Sequence, residues 1–217
     1  MSISMADIKS LRQRTGAGIL DCKKALAESG GDVDGAIDWL RKKGIAKAAK
    51  KAGRAATEGL VHSYIHAGGK IGVLVEVNCE TDFCAMNDRF KEFVQDVAMH
   101  IAAAGPEYVR REEVPAAAFE KEKAIQLAKT MEEGKPEHIA EKIVTGRMNK
   151  FYEEVCLLEQ KFIKDDKKTV QQFVESTVAV IGENIQIRRF ARFSLGEGLQ
   201  KKEEDFAAEV AKATSGS

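Results

Sequence analysis

The sequence predicts an α+β protein, in which an N-terminal three-helix bundle precedes an antiparallel three-stranded sheet packed against helices. Two observations support this fold class. Apolar residues recur at helical spacing in three short segments before residue 46, with glycine-rich breaks between them. Apolar residues then alternate on both sides of Gly68-Gly69, as in a β-hairpin, and a weaker alternation returns at residues 184–195. This last strand joins the hairpin most simply as the third strand of one sheet.

Residues 1–46 predict a module of three short helices. Ser4 is the candidate N-cap of the first helix, and Gly16 interrupts the pattern after it. Gly30-Gly31 ends the second helix, Asp32 caps the third, and Gly44 ends the third. Their apolar positions supply a modest core: Ile8, Leu11, Ile19, Cys22, Ala25, Leu26, Val33, Ala36, Ile37 and Leu40. A core of this size suits a docking module rather than an enzyme.

A basic segment follows, with seven basic residues and no acidic one between residues 41 and 54. Lys47, Lys50, Lys51 and Arg54 have the spacing that places them on one face of a helix. The segment has no aromatic residue to stack on bases, which favours a basic helical linker over residues 47–56. The alternative is an RNA-binding or ribosome-associated protein that uses the 41–54 stripe.

Residues 57–195 predict the α+β core domain. After the hairpin, helices are expected from about residue 87 to 104, with Asn87 as N-cap, and then at 116–133 and 137–154. Residues 157–168 look irregular. Thr169 begins a last helix that runs to about residue 181, and the strand at 184–195 follows. Residues 196–217 form a polar C-terminal tail that we expect to fray or to dock loosely.

Residues 79–87 form the junction between the second hairpin strand and the next helix. Asp82 and Phe83 stand there as a charge beside an aromatic ring. Such a pair is either a polar cap beside a core residue or a projection that enters a partner, and the junction alone favours the first interpretation.

Composition excludes several function classes. The 34 basic and 34 acidic residues cancel, so no overall positive field attracts nucleic acid. No secretory signal pattern and no apolar run of about 18 residues is present, which predicts a cytoplasmic protein without a membrane partner. The four cysteines, Cys22, Cys79, Cys84 and Cys156, lack zinc-site spacing, and buried thiols in a reducing compartment are expected. Cys79 and Cys84 are close enough in sequence to approach each other around the turn.

A search for catalytic motifs finds neither a phosphate-binding loop, nor a nucleophile elbow, nor a metal-binding pair of histidines on a helix. His62 and His66 lie about 13 Å apart if they share one strand face, too far to hold one ion. The sequence therefore predicts an interaction protein with no catalytic residue, metal or cofactor. A small enzyme that uses these histidines is the minority alternative.

Four ordered stretches resemble elongation factor Ts, the family of nucleotide exchange factors for the GTPase elongation factor Tu. The first is Leu-Arg-Gln-Arg-Thr-Gly-Ala-Gly-Ile-Leu-Asp-Cys-Lys-Lys-Ala-Leu at residues 11–26. The second is Glu-Val-Asn-Cys-Glu-Thr-Asp-Phe at 76–83, and the third is Gly-Arg-Met-Asn-Lys-Phe-Tyr at 146–152, which leads to Leu-Leu-Glu-Gln at 157–160. The fourth is the strand at 183–193.

The resemblance implies a ubiquitin-associated (UBA)-like N-terminal module and a guanine nucleotide exchange factor that binds elongation factor Tu. It implies no direct contact with nucleic acid. Chains with a single core subdomain, as here, can pair, so a homodimer and a 2:2 complex are plausible. The resemblance places Asp82 and Phe83 against the magnesium and phosphate site of the GTPase, in a turn that comprises Thr81, Asp82, Phe83 and Cys84. It also implies that the N-terminal module grips the GTPase domain through Arg12, Ile19, Leu20 and Lys23, although Ile19 can equally serve the small core.

The chain departs from the family pattern at three positions. Cys84 and Met86 follow Phe83 where relatives commonly have Thr-Asp-Phe-Val-Ala-Arg-Asn, so an arginine that could support the turn is absent. Lys161 replaces a proline often found after Leu-Glu-Gln, which changes the expected path of that loop.

Overall fold

A computed structural model of the chain describes residues 3–134 and 136–199, and it confirms the α+β class. The N-terminal helices are α1 (Met5–Thr15), α2 (Ile19–Glu28) and α3 (Val33–Lys51). The Ser4 side chain accepts a hydrogen bond from the Asp7 N–H, and the Asp32 side chain accepts one from the Gly35 N–H, so both predicted caps are present. The bundle encloses a core of its own: Ile8, Leu11, Cys22, Ala25, Leu26 and Ala36.

The third helix is longer than predicted, because Gly44 does not end it. Helix α3 continues to Lys51 and packs against α8 (Val170–Ile181). A Cβ atom added at Gly44 would lie only 3.3 Å from the Cβ of Ala179 on α8. Glycine at this position permits the close approach of two helices, and α3 thereby joins the N-terminal bundle to the rest of the chain.

The sheet has the predicted topology. Strands β1 (Glu58–Ile65), β2 (Ile71–Cys79) and β5 (Gln186–Ser194) are antiparallel in the order β1-β2-β5. One face packs on α5 (Asp88–Ala104) in the main core, which includes Val73, Val75, Val77, Phe90, Phe93, Val94, Val97 and Ile101. On the opposite face, several apolar side chains are exposed in the part of the chain that the structure describes.

Residues 157–168 are more regular than predicted. A short 3-10 turn, Leu157–Glu159, precedes a hairpin of β3 (Lys161–Phe162) and β4 (Asp165–Thr169). A strand of two residues gives no alternating pattern in the sequence. Long-range contacts hold it instead, since the rings of Phe162 and Phe173 stack at 4.3 Å and Lys164 pairs with Asp96 at 2.6 Å.

Two helices bridge α5 and this hairpin. They are α6 (Ala116–Glu132) and α7 (Glu137–Val155), which pack against each other. Arg147 on α7 donates to the Thr130 hydroxyl of α6 at 3.0 Å. Among the described residues, no helix is long and apolar enough to cross a membrane.

The buried His100 on α5 gives folding a pH dependence. The Ile163 N–H donates to its Nδ1 at 3.3 Å, and its Nε2 lies 3.0 Å from Gln160 Oε1, so the neutral ring fits the site with the proton on Nε2. Burial lowers the pKa of His100 from its ordinary value, and the weaker contribution of Gln160 opposes this effect.

We expect the free energy of unfolding to fall as the pH drops from about 7.5 to about 5.5. Below the ordinary histidine pKa of about 6.5, the unfolded chain takes up a proton that the native protein resists. Denaturant titrations at both pH values measure the effect. His100→Gln should flatten the dependence, whereas His62→Gln, at a partly buried position on β1, is the control and should preserve it. Equal slopes for His100→Gln and the wild type would contradict this assignment.

Candidate partner-binding site

The junction after β2 forms a projecting tip, which we define as residues 80–87. Its helix α4 (Asp82–Met86) is one short turn with Thr81 as N-cap. Cys84 and Ala85 face inward and are buried, whereas the Phe83 side chain is 80% exposed and Met86 is 60% exposed. The ring of Phe83 is therefore not a core residue, and the structural interpretation of the junction does not hold for it.

Glu183, directly after α8, holds the tip in place. Its carboxylate accepts the N–H groups of Glu80 and Thr81 at 3.1 and 3.0 Å and the Thr81 hydroxyl at 2.7 Å. The same hydroxyl accepts the Cys84 N–H at 3.2 Å, as expected of an N-cap. Thr81 thus links Glu183 to the first turn of α4 through hydrogen bonds. Sequence reasoning missed Glu183, since no local pattern links it to a segment a hundred positions earlier.

Glu80, in the tip, makes the reciprocal contact to the segment after α8. Its carboxylate accepts the Asn184 N–H at 2.6 Å and faces the Arg54 guanidinium at 3.5 Å. The Asn184 hydrogen bond, followed by the positive charge of Arg54, holds the pKa of Glu80 below its usual range. The end of β2 and the segment after α8 therefore brace each other through two carboxylates.

Asp82 lies beside the exposed ring, with its side chain in solvent. Its Oδ1 accepts the Phe83 N–H at 2.8 Å, so this carboxylate satisfies one free amide at the start of α4. Asn87 ends α4 and caps α5, since its side chain accepts the Arg89 N–H at 2.9 Å. Both ends of the tip are fixed by local hydrogen bonds.

The loop between α1 and α2 lies beside the tip. Arg89, in the first turn of α5, donates to the Gly16 carbonyl at 3.1 Å and so links the N-terminal bundle to the tip region. Ile19 is 49% exposed and Leu20 is 81% exposed. Ile19 is not part of the bundle core, which answers the alternative that the sequence left open. Two further predicted residues, Arg12 and Lys23, are also exposed.

Much of the basic stripe is bound within the chain. Lys43 and Lys47 pair with Asp21 at 2.7 and 2.8 Å, and these two contacts lower the pKa of that carboxyl. Lys51 donates to the Gly182 carbonyl. With Arg54 near Glu80, these charges connect α3 to the rest of the fold, and they are less available to a nucleic acid than the sequence pattern suggested.

The tip covers a buried group of potential metal ligands. Atoms of Cys79, Cys84 and Glu183 all lie within 4.8 Å of one another, and within the described ranges this is the one group of three histidine, cysteine or acidic side chains so arranged. All four cysteines are free and buried. Burial raises the pKa of the Cys84 thiol well above its usual range, and the neighbouring Cys79 and Glu183 add to this effect. The sequence did not predict this cluster, because the cysteine spacing is unlike that of common zinc motifs.

The fold and this site define a class: a protein that presents a braced, exposed apolar tip and a neighbouring helical module to a macromolecular partner. A family model described as elongation factor TS matches residues 45–197. Elongation factor Ts of Geobacter sulfurreducens is 68% identical over 213 residues, which cover 98% of this chain and 99% of that relative. Elongation factor Ts of Desulforamulus reducens is 63% identical over 209 residues, 96% of each chain. The chain belongs to the elongation factor Ts family, which confirms the resemblance and a role in translation elongation.

Proposed function

We propose that this protein is a guanine nucleotide exchange factor for elongation factor Tu and that it acts by binding rather than by chemical catalysis. Its membership of the elongation factor Ts family supports the partner and, with it, a location in the cytoplasm. The observation that carries the mechanism is the Phe83 ring, 80% exposed on a tip braced by hydrogen bonds. An exposed aromatic side chain on a rigid mount is a typical anchor in a protein interface.

Phe83 acts as a wedge in the GTPase domain. Bound GDP depends on a magnesium ion and on backbone amides around its phosphates, so displacement of a segment beside that site weakens both. Asp82 adds a negative charge next to the ring, which repels phosphate. Thr81 and Cys84 hold the turn from the inside. Because the factor binds nucleotide-free Tu more tightly than the GDP complex, nucleotide reciprocally weakens binding of the factor.

The release of labelled GDP from elongation factor Tu tests the proposal. Micromolar amounts of the chain should accelerate release many-fold when unlabelled nucleotide is in excess, with the factor left unchanged. Tu with labelled GDP and no factor gives the background rate. A release rate equal to that background would rule out exchange activity.

We also propose that residues 1–46 form the UBA-like module and grip the GTPase domain through Arg12, Ile19, Leu20 and Lys23. The exposure of Ile19 and Leu20 next to the tip supports this surface. Residues 47–56 connect the module to the core domain at 57–195, and the continuity of α3 to Lys51 makes the connection stiff. Of the predicted tail, 196–217, residues 200–217 lie outside the described part of the chain.

Leu20→Ala should weaken binding to Tu by about tenfold, because Leu20 is exposed on the module and its truncation removes buried interface area only in the complex. Calorimetric titration of nucleotide-free Tu measures the affinity. Met5→Ala is the matched control, since Met5 is 62% exposed on α1. An unchanged affinity for Leu20→Ala would remove this helix from the interface.

A homodimer through the open face of the sheet is the assembly that we propose, which gives a 2:2 complex with Tu. Exposed apolar residues cluster on this face: Val61, Ile65, Leu74 and Phe193. The strand register places Ile65 and Phe193 on either side of Gly72, with Leu74 close by. A two-fold axis lets such a patch pair with its own copy.

Light scattering of the free chain tests this assembly. We expect the wild type to have twice the chain mass and Ile65→Lys to be monomeric, because a buried unpaired charge opposes association. Leu127→Lys on α6 is the control, since Leu127 is also partly exposed but lies outside the sheet. A monomeric wild type at tens of micromolar would contradict the dimer.

The contacts of the basic stripe in the described residues argue against the RNA-binding alternative. Lys43, Lys47, Lys51 and Arg54 of the stripe have acceptors within the chain. The exchange assay and RNA titration separate the two functions, since RNA binding predicts a strong dependence on salt.

A further inference from the structure

The buried cluster beneath the tip brings three elements to one point. Cys79 ends β2, Cys84 lies on α4, and Glu183 follows α8. A ligand atom from each lies within 4.8 Å of the other two. Both thiols are buried, at 0% and 4% exposure, whereas Glu183 is partly exposed and gives the cluster a side toward solvent.

We propose that Cys79, Cys84 and Glu183 form a binding site for a thiophilic divalent cation of the zinc class. Tetrahedral zinc with sulfur at about 2.3 Å and oxygen at about 2.0 Å separates its ligand atoms by about 3.5 to 3.8 Å. Each separation of up to 4.8 Å needs to shorten by about 1.3 Å or less to reach such distances. Three protein ligands leave the fourth position to a water molecule at the Glu183 side.

The hydrogen bonds of Glu183 provide an independent observation. An ionised carboxylate has about four acceptor positions, and three are occupied by the Glu80 N–H, the Thr81 N–H and the Thr81 hydroxyl. About one position therefore remains for a further partner. Carboxylates that ligate metals are oriented by outer hydrogen bonds in this way. Glu183 is thus held by three donors, and one of its oxygens lies within 4.8 Å of both sulfur atoms.

The binding step exchanges protons for the ion. The cation displaces the protons of both thiols, so two metal–sulfur bonds and one metal–oxygen bond form while about two protons leave to solvent. Two thiolates, one carboxylate and a divalent ion leave one net negative charge near the partly exposed side. Thiolate ligands select zinc, cadmium or cobalt over magnesium and calcium. The ion would tie β2, α4 and the segment after α8 together. Binding of the ion does not depend on whether the tip engages Tu, so the site and the exchange function are tested separately.

Metal titration of the reduced full-length chain tests the site. Calorimetry with zinc should give one ion per chain and release of about two protons, measured in buffers of different ionisation enthalpy. Cobalt should give thiolate charge-transfer absorption and the visible bands of a tetrahedral ion. Zinc should also raise the thermal unfolding midpoint of the wild type.

Cys84→Val is the informative variant, because valine fills the buried site without a ligand atom. It should weaken zinc binding by at least about 100-fold, and it should lose the cobalt charge-transfer absorption and the rise in midpoint. Cys156→Val makes the same change at a buried cysteine outside the cluster and should bind zinc like the wild type. Its own unfolding midpoint, and that of Cys84→Val without metal, show that both variants fold.

Two results would overturn the proposal. One is zinc binding by Cys84→Val that equals the wild type. The other is a reduced wild type that binds no zinc at micromolar concentration. In the second case, a Cys79–Cys84 disulfide found after treatment with a hydroperoxide would instead assign the two cysteines to redox chemistry.

Discussion

Phe83→Ala is expected to reduce the acceleration of GDP release from elongation factor Tu by about 100-fold. The ring is 80% exposed, so its contacts are made in the complex and not in the free chain. Loss of a central aromatic anchor typically costs an interface about 2 to 4 kcal/mol, and about 2.7 kcal/mol corresponds to a factor of 100. For the same reason, the unfolding midpoint of the variant should match that of the wild type.

Stopped-flow release of a fluorescent GDP analogue at saturating factor measures this loss. Phe83→Leu should fall between alanine and the wild type, since leucine keeps part of the volume but not the flat ring. Ile163→Ala is the matched truncation of an exposed apolar residue elsewhere. The Ile163 N–H contacts His100, which lies about 18 Å along α5 from Asp88 and so far from the tip. Ile163→Ala should therefore leave GDP release unchanged. A rate of GDP release with Phe83→Ala within twofold of the wild-type rate would contradict the proposed role of the ring as a wedge. It would not contradict binding of the chain to Tu.

The fold was predictable where a local pattern and the tertiary structure agree. The alternating residues around Gly68-Gly69 and the apolar face of α5 pack into the same core. The strands and the helix that the sequence predicts are therefore the ones observed there. Gly44 shows the opposite case. Glycine ends helices when the helix is considered alone, but here it permits contact with Ala179, which lies far along the chain. The short β3 likewise depends on its long-range partners.

The candidate site was predictable only in part. The residues alone favoured a capped junction around Asp82, and the resemblance was needed to single out Phe83 as a projection. Exposure of that ring is consistent with the resemblance and follows from a one-turn helix whose other face, with Cys84, is buried. The brace from Glu183 could not be predicted, because hydrogen bonds between segments distant in sequence leave no periodic signal.

The hydrogen bonds from Glu183 to the tip are the basis of the second prediction with a large expected effect. Glu183→Ala leaves the N–H groups of Glu80 and Thr81 and the Thr81 hydroxyl without their acceptor. Loss of such hydrogen bonds should destabilise the fold by about 1 to 3 kcal/mol, toward the lower end because water reaches this partly exposed carboxylate. The tip would then sample several positions, and the Phe83 ring would reach its target less often.

We therefore expect Glu183→Ala to slow GDP release by about tenfold although Phe83 is intact, since about 1.4 kcal/mol of lost positioning corresponds to that factor. Release is measured with a chelator present, so that no ion at the neighbouring thiols contributes. Glu175→Ala on α8 removes a carboxylate that accepts a hydrogen bond from Gln171, one turn away on the same helix, and should have no effect.

The double variant Phe83→Ala/Glu183→Ala separates positioning from a direct contact with Tu. If Glu183 acts through the ring, the double variant should be no slower than Phe83→Ala alone, because the brace has nothing left to position. Additive losses would instead mean that Glu183 contributes independently of the ring. Wild-type release by Glu183→Ala would show that the tip keeps its position without the brace.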